Sequence, residues 1–328
     1  MCKISNQKLS NYRAPLLGVA SLMILASHFI LLPQVKVLAF IQSQCIVGVD
    51  IFLFLSGFGL VYSIKNNPSW RHFYTQRLKR ILPVFIPVAT VYCIYLSLTQ
   101  SDMGGGNFLL VLSTLGYWLK TNWFLEWYTP TILLLYTLFP ILYKMIEGIK
   151  GKHVHVVYAL TLVYFLSALW VSPDYQPWVF CIFRIPVFII GMYVAYDRKG
   201  IHTQWAFALF MVGIASYCMK LIDMEGSNAK WLFSVANIAL FVIIASIFII
   251  RQIERVSKSL ILILSYIGKM SYELFLVQIL FLRMHIFDNI SIAAGIVCMI
   301  ILSVLLHHIL EYITKKIIIH STQLNENN

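Results

Sequence analysis

Gly48-Val-Asp-Ile-Phe-Leu-Phe-Leu-Ser-Gly-Phe58 is an apolar run that reads as part of a membrane span and carries one carboxylate, Asp50. A charge in hydrocarbon is costly unless a partner or a wet cavity receives it, so Asp50 is a candidate functional residue. Twenty-two positions upstream, His28 lies in another apolar run, Pro15 to Leu32. Two titratable groups are thereby drawn into the membrane from consecutive spans.

The composition agrees with that reading. Hydrophobic residues make up 60% of the 328 positions and charged residues only 12%, with a mean hydropathy of +0.80. Soluble domains carry about 25% charged residues, which excludes that class and indicates a polytopic membrane protein. Runs long enough to cross about 30 Å of hydrocarbon as helices fall near 14–32, 44–64, 81–98, 123–145, 154–171, 178–196, 203–222, 230–250, 261–282 and 290–313. The expected fold is all-α, a transmembrane bundle of about ten spans within residues 1–318, followed by a short polar tail, 319–328, whose last part, Gln323–Asn328, is expected to lack regular structure. The first run is long for an apolar signal core and lacks a small-residue cleavage site before Pro33, so it is expected to stay in the protein. The longest segment between spans, Thr99 to Asn122 with its Gly104-Gly105-Gly106, leaves no room for a soluble domain. No internal repeat is visible, which weakens a transporter of the inverted-repeat kind.

Basic residues give the orientation. A cytoplasmic N-terminus gathers the Lys and Arg of 3–13, 65–80, 150–152, 198–199, 251–258 and 315–316 on one face, leaving Lys36, Lys120, Lys220, Lys230 and Arg283 in the alternate loops. Both termini are then cytoplasmic, in a multi-pass protein of the cell membrane. The net charge of +12 becomes mostly inner-face charge opposite anionic lipid, and nucleic-acid binding is not needed to explain it. Cys45, Cys93, Cys181, Cys218 and Cys298 have no metal-type spacing and read as small core residues, with a Cys45–Cys181 disulfide as the remaining alternative.

Depth along each span places His28, Asp50, Glu126, Arg184 and Gln278 in the same, outer half of the bilayer. Shared depth points to a polar cavity opening outward. Each residue also has a structural reading: His28 as an interhelical hydrogen-bonding residue, Arg184 as the ion-pair partner of Asp50 or Glu126, Glu126 as part of an aromatic belt with Trp123 and Trp127, and Gln278 as packing glue. At the opposite rim, Arg77 and Arg80 stand at i, i+3 on one helix face beside Lys79, a spacing suited to bidentate capture of phosphates. Positive-inside anchoring is the plain alternative there.

Four segments together resemble the acyltransferase 3 family, membrane proteins that O-acylate cell-surface glycans. Gly48 to Phe58 is similar to its second-span signature and Arg77-Leu-Lys-Arg-Ile-Leu-Pro83 to its basic approach to span three. Trp123-Phe124 with Tyr136 and Pro140 resembles its fourth-span pattern, and Ile267-Gly-Lys-Met-Ser-Tyr-Glu-Leu-Phe-Leu-Val-Gln278 its late glycine-lysine-serine-tyrosine segment. Arg184-Ile-Pro-Val-Phe188 with Gly191 is a fifth, weaker match. Two positions depart from the pattern. Leu17 stands where the family commonly has an Arg, with Arg13 one turn earlier on the same face, and Gln278 stands where a His is common. The esterase-like domain appended to some relatives is not expected here.

The resemblance implies acetyl-CoA or another acyl-CoA as donor substrate on the cytoplasmic side and a glycan or lipid-linked saccharide hydroxyl on the other, within a lipid bilayer. A homo-oligomer is left open, and no tightly bound cofactor or metal is implied. The expected catalytic residues are His28, as general base or acyl carrier, Asp50 to polarise it, and Arg184 to stabilise the oxyanion or hold Asp50 ionised. Arg77, Lys79 and Arg80 are expected to hold the donor's phosphates, and Arg13, Glu126, Ser271 and Tyr272 are further candidates. The alternative from another class is a transporter of a glycan-related or small solute that uses the same cavity without acyl transfer.

Overall fold

The computed structural model describes residues 3–29, 35–100, 103–119, 121–148, 180–197, 200–222, 227–288 and 290–326. In chain order these form strand β1 (Lys3–Ile4), the short helix α1 (Asn6–Asn11), α2 (Arg13–His28), α3 (Lys36–Gln44), α4 (Val47–Asn66), α5 (Trp70–Thr99), α6 (Gly105–Leu112), α7 (Leu115–Trp118), α8 (Tyr128–Gly148) and α9 (Ile185–Asp197). There follow β2 (Ile201–His202), α10 (Thr203–Ile222), α11 (Ser227–Val256), α12 (Lys258–Lys269), α13 (Ser271–Arg283) and α14 (Ile292–Glu326). In hydrocarbon every backbone N–H and C=O must bond internally, which is why apolar runs become helices. The starts of α5 and α12 are marked by polar caps: Ser69 Oγ accepts from the His72 N–H at 3.3 Å and Ser257 Oγ from the Leu260 N–H at 3.4 Å. Pro83 and Pro87 lie inside α5 and Pro140 inside α8 without ending them.

The chain is a helical multi-pass membrane protein; the count of about ten spans is not confirmed. Among the described residues six helices are long and apolar enough to cross, seven if α12 and α13, bent by 65° at Met270, form one broken span. The apolar helices Arg13–His28 and Thr203–Cys218 fall short of that length. At 1.5 Å per residue the first of them covers about 24 Å. The run expected at 154–171, with Lys150, Lys152, Arg198 and Lys199, lies outside the described residues. Two further expectations change. The loop containing Gly104 to Gly106 folds into α6 and α7, and α14 continues through the segment expected to be an irregular tail as far as Glu326. Cys45 and Cys181 are both free, and Cys218 and Cys298 are exposed, so only Cys93 and Cys181 are core residues.

The centre of the bundle is α4, which packs chiefly on α9 and α2. α4 and α9 run side by side in the same direction and are tied at three heights. Asp50 meets Arg184 just before α9, Gly57 meets Phe188 and Gly191 meets Phe54 in the middle, and at the basic end Lys65 Nζ reaches the Tyr196 carbonyl at 3.5 Å and lies 4.4 Å from the centre of its ring. Glycine is required at the middle contact: a Cβ on Gly57 would lie 2.2 Å from the Phe188 carbonyl oxygen, and one on Gly191 2.1 Å from that of Phe54. Small residues that let backbones touch are a principal means of helix association where apolar burial gives no net drive. Antiparallel pairing of β1 with β2 fastens the segment before α1 to the start of α10, at the same end as Lys65. α14 is peripheral, with 17% of its apolar window buried, and turns most of its surface outward.

Candidate functional site

A cavity runs along the inner face of α2 and α4 towards the side of α5, α8 and α13, enclosing about 730 Å³ of empty space including its mouth. Arg13, Arg77 and Arg80 line its basic end, Ser56, Tyr128, Tyr136, Ser271 and Tyr272 supply hydroxyls along it, and Ile24 and Val49 stand at the far end. From Arg13 to Ile24 along α2 is about 16 Å.

The three guanidiniums come from two helices and lie within one another's electrostatic reach. Arg77 is held by a 2.7 Å hydrogen bond from Nη2 to Ser63 Oγ of α4, and its plane lies 5.6 Å from the centre of the Phe73 ring. Arg13 lies against Gly59, where a Cβ would be 2.8 Å from Nη2, so the bare backbone of α4 makes room for the guanidinium. The Nε atoms of Arg13 and Arg77 are buried without a protein acceptor. Clustered cations with unpaired donors at a cavity mouth are suited to a multiply charged anion. Arg13, one turn below Leu17, thus brings a cation to the wall that Leu17 also lines. Lys79 faces away from this cavity and lines a neighbouring one.

At the other end the expected residues separate into two groups. His28 follows Ile24 by one helical turn; its Nδ1 is 3.0 Å from the Ile24 carbonyl oxygen and 2.7 Å from the side-chain amide of Gln278 on α13. Asp50 is fully buried and meets Arg184, also fully buried, with Nε to Oδ1 at 3.4 Å. Arg184 also donates from Nη1 to the Phe180 carbonyl at 3.2 Å and stacks 4.8 Å from the Trp127 ring centre. No hydrogen bond or ion pair joins His28 to Asp50 among the described residues, so the expected polarising couple is not formed. The cause is angular. Gly48 faces Ala20 and Ile24 of α2, and two residues further on the helix has turned about 200°, which aims Asp50 at Arg184.

Glu126 is occupied locally. Its carboxylate accepts from the backbone N–H of Tyr128 and, at 2.8 Å, from that of Thr129, capping the first turn of α8. Thr129 Oγ1 is in turn 2.9 Å from the Tyr272 hydroxyl, which fixes that ring on the cavity wall, with Ser271 beside it. Arg283 Nε donates to the Leu125 carbonyl at 3.0 Å and pins the approach to α8. Gln278 is the residue whose part the sequence did not reveal; its polar side chain within an apolar run was the available sign.

A family model for an acyltransferase domain matches residues 17–308, almost the whole chain. No curated protein and no solved structure matches. The matched region contains the cavity from Leu17 to Phe275, together with His28, Gln278, Asp50 and Arg184. On the breadth of that match and the helical membrane architecture, the chain belongs to the acyltransferase 3 family of membrane acyltransferases.

Proposed function

We propose that the protein moves an acetyl group from cytoplasmic acetyl-CoA to a hydroxyl of a cell-surface or lipid-linked polysaccharide, in the cell membrane and with both termini cytoplasmic. The observation that carries this reading is the single cavity with three guanidiniums at one end and His28 one turn beyond the other. Arg13, Arg77 and Arg80 bind the donor's diphosphate, and the flexible arm of the coenzyme lies along the hydroxyl-lined wall with its thioester towards Ile24. His28 then acts on the acceptor. With its Nδ1 hydrogen directed to the Ile24 carbonyl, Nε2 is free to take the acceptor hydroxyl's proton. The amide nitrogen of Gln278 lies 2.7 Å from Nδ1 and 3.4 Å from the same Ile24 carbonyl, and so positions the ring from α13. The hydroxyl oxygen attacks the thioester carbonyl, the carbon–sulfur bond breaks, and the thiolate leaves through the basic mouth after taking a proton. Asp50 and Arg184 act on this centre through the position of α4 rather than by contact.

The test is coenzyme A release by the purified protein in vesicles supplied with acetyl-CoA and a membrane glycan fraction from the source cells. Release should require the acceptor, and His28→Ala should lower it by about 10²–10⁴-fold at equal folded protein, the range general-base catalysis contributes. Near-normal turnover per folded molecule would remove His28 from the reaction. Movement of a glycan across the vesicle wall without coenzyme A release would establish the transporter instead.

A further inference from the structure

A second cavity, about 950 Å³ including its opening, lies between α5, the bend joining α12 to α13, and α14. Arg80 and Tyr272 line both cavities and form the wall between them. Four cations line it: Lys79 and Arg80 from α5, Lys269 from the end of α12, and Lys315 of α14, which is paired with Glu311. The carboxylates in its lining are already engaged, Glu273 with His307 Nδ1 at 2.8 Å and Glu311 with Lys315 Nζ at 3.0 Å. Among the described residues no carboxylate lies within ion-pair distance of Lys79, Arg80 or Lys269. Uncompensated cations gathered in a concave site call for an anion, and lysine engages phosphate as a compact charge without the fixed fork geometry of arginine.

The proposed donor carries phosphate in two places. Its diphosphate joins the nucleoside to the flexible arm, and a separate monoester sits on the 3′-hydroxyl of the ribose. Two adjoining cationic cavities sharing one arginine match that division. Resting on the donor reading above, we infer that the second cavity holds the ribose 3′-phosphate of the acyl-CoA, with Lys79 and Lys269 as its partners and Arg80 shared with the diphosphate. The nucleoside then lies against the side of α14, and the arm passes the Tyr272 wall into the first cavity.

The experiment compares kcat/KM for acetyl-CoA and for 3′-dephospho-acetyl-CoA in phosphatidylcholine vesicles. The wild type should prefer the phosphorylated donor by about tenfold, the factor given by one good charged contact. In Lys269→Gln, and more completely in Lys79→Gln with Lys269→Gln, the preference should fall towards one. Lys258→Gln, at the far end of α12, should keep it. Glutamine retains most of the side-chain length, and an unfolding midpoint measured for each variant ensures that like is compared with like. Equal use of both donors by the wild type, or a preference that survives the double substitution, overturns the inference while leaving the donor reading intact. So does a result in which the lysines matter only for stimulation by phosphatidylglycerol over phosphatidylcholine, which assigns the cavity to a lipid headgroup. If neither donor is turned over, the proposed reaction fails and this inference with it.

Discussion

Arg184 and the Arg13–Arg77–Arg80 group place guanidiniums in one bundle under opposite conditions. Arg184 is fully buried, faces Asp50 and lies over Trp127, so its charge is neutralised inside the protein. The other three line a cavity mouth with no carboxylate among the residues forming it. Removing two charges from water costs several kcal/mol per ion, and mutual attraction offsets it only while both partners are present. A sealed pair therefore acts as a constraint on α4 and α9, whereas an unsealed cluster leaves its charges open to an anion.

The comparison breaks most readily at the sealed end. Arg184→Leu should leave Asp50 alone in the core and cost about 3–5 kcal/mol, seen as a large fall in the unfolding midpoint of the solubilised protein. Asp50→Leu combined with Arg184→Leu should be milder than either single change. A single variant as stable as the wild type would remove the pair's constraining role. At the open end the effect should be on substrate and not on folding. Arg77→Ala with Arg80→Ala should raise the KM for acetyl-CoA roughly tenfold or more, each charged hydrogen bond being worth about 1.5–3 kcal/mol, with little change in the unfolding midpoint. An unaltered KM would reduce these residues to anchors at the membrane surface. The smallest effect tests how finely the mouth is set. Gly59→Ala places a methyl group 2.8 Å from Arg13 Nη2; since the flexible end of the arginine can shift, the KM should rise only about threefold. A change in stability without a change in KM would mean that Arg13 does not touch the donor.

Much of this is legible in the amino-acid sequence alone. Apolar runs, the isolated Asp50 and the Arg77 and Arg80 spacing identify a membrane bundle with one basic rim, because they depend on composition and on neighbours three or four residues apart. Two features were not readable for the same reason: they depend on rotation between elements. Depth places His28 and Asp50 at one level, yet the turn between Gly48 and Asp50 sends the carboxylate to α9. Gln278 reaches His28 across 250 positions because α13 leans against α2 beyond the 65° bend, which no local spacing encodes. Glu126 was legible as a buried polar residue and not as a cap, since the first turn of α8 begins later than the apolar run around it. Apolar length alone overestimates a span where the helix stops early, as α2 does at His28.

The three ties between α4 and α9 have a mechanical consequence. An ion pair at one end, backbone contact in the middle and a lysine lying on a tyrosine at the other prevent the two helices from sliding, rotating or pivoting independently. Alternating-access carriers work by rocking one half of the protein against the other around a fixed cargo site, and this pair would have to travel as a single strut in any such motion. The proposed acyl transfer has the opposite requirement, since the distance between the arginine mouth and the imidazole would have to stay constant while donor and acceptor come and go. Arg77 is tied to α4 at Ser63, and α2, which carries His28, packs on α4 at Gly48, so on the proposed reading the braced α4 sets a fixed ruler for the coenzyme's arm, and a donor whose arm is shortened by even a few bonds should bind at the mouth and fail to deliver its acyl group.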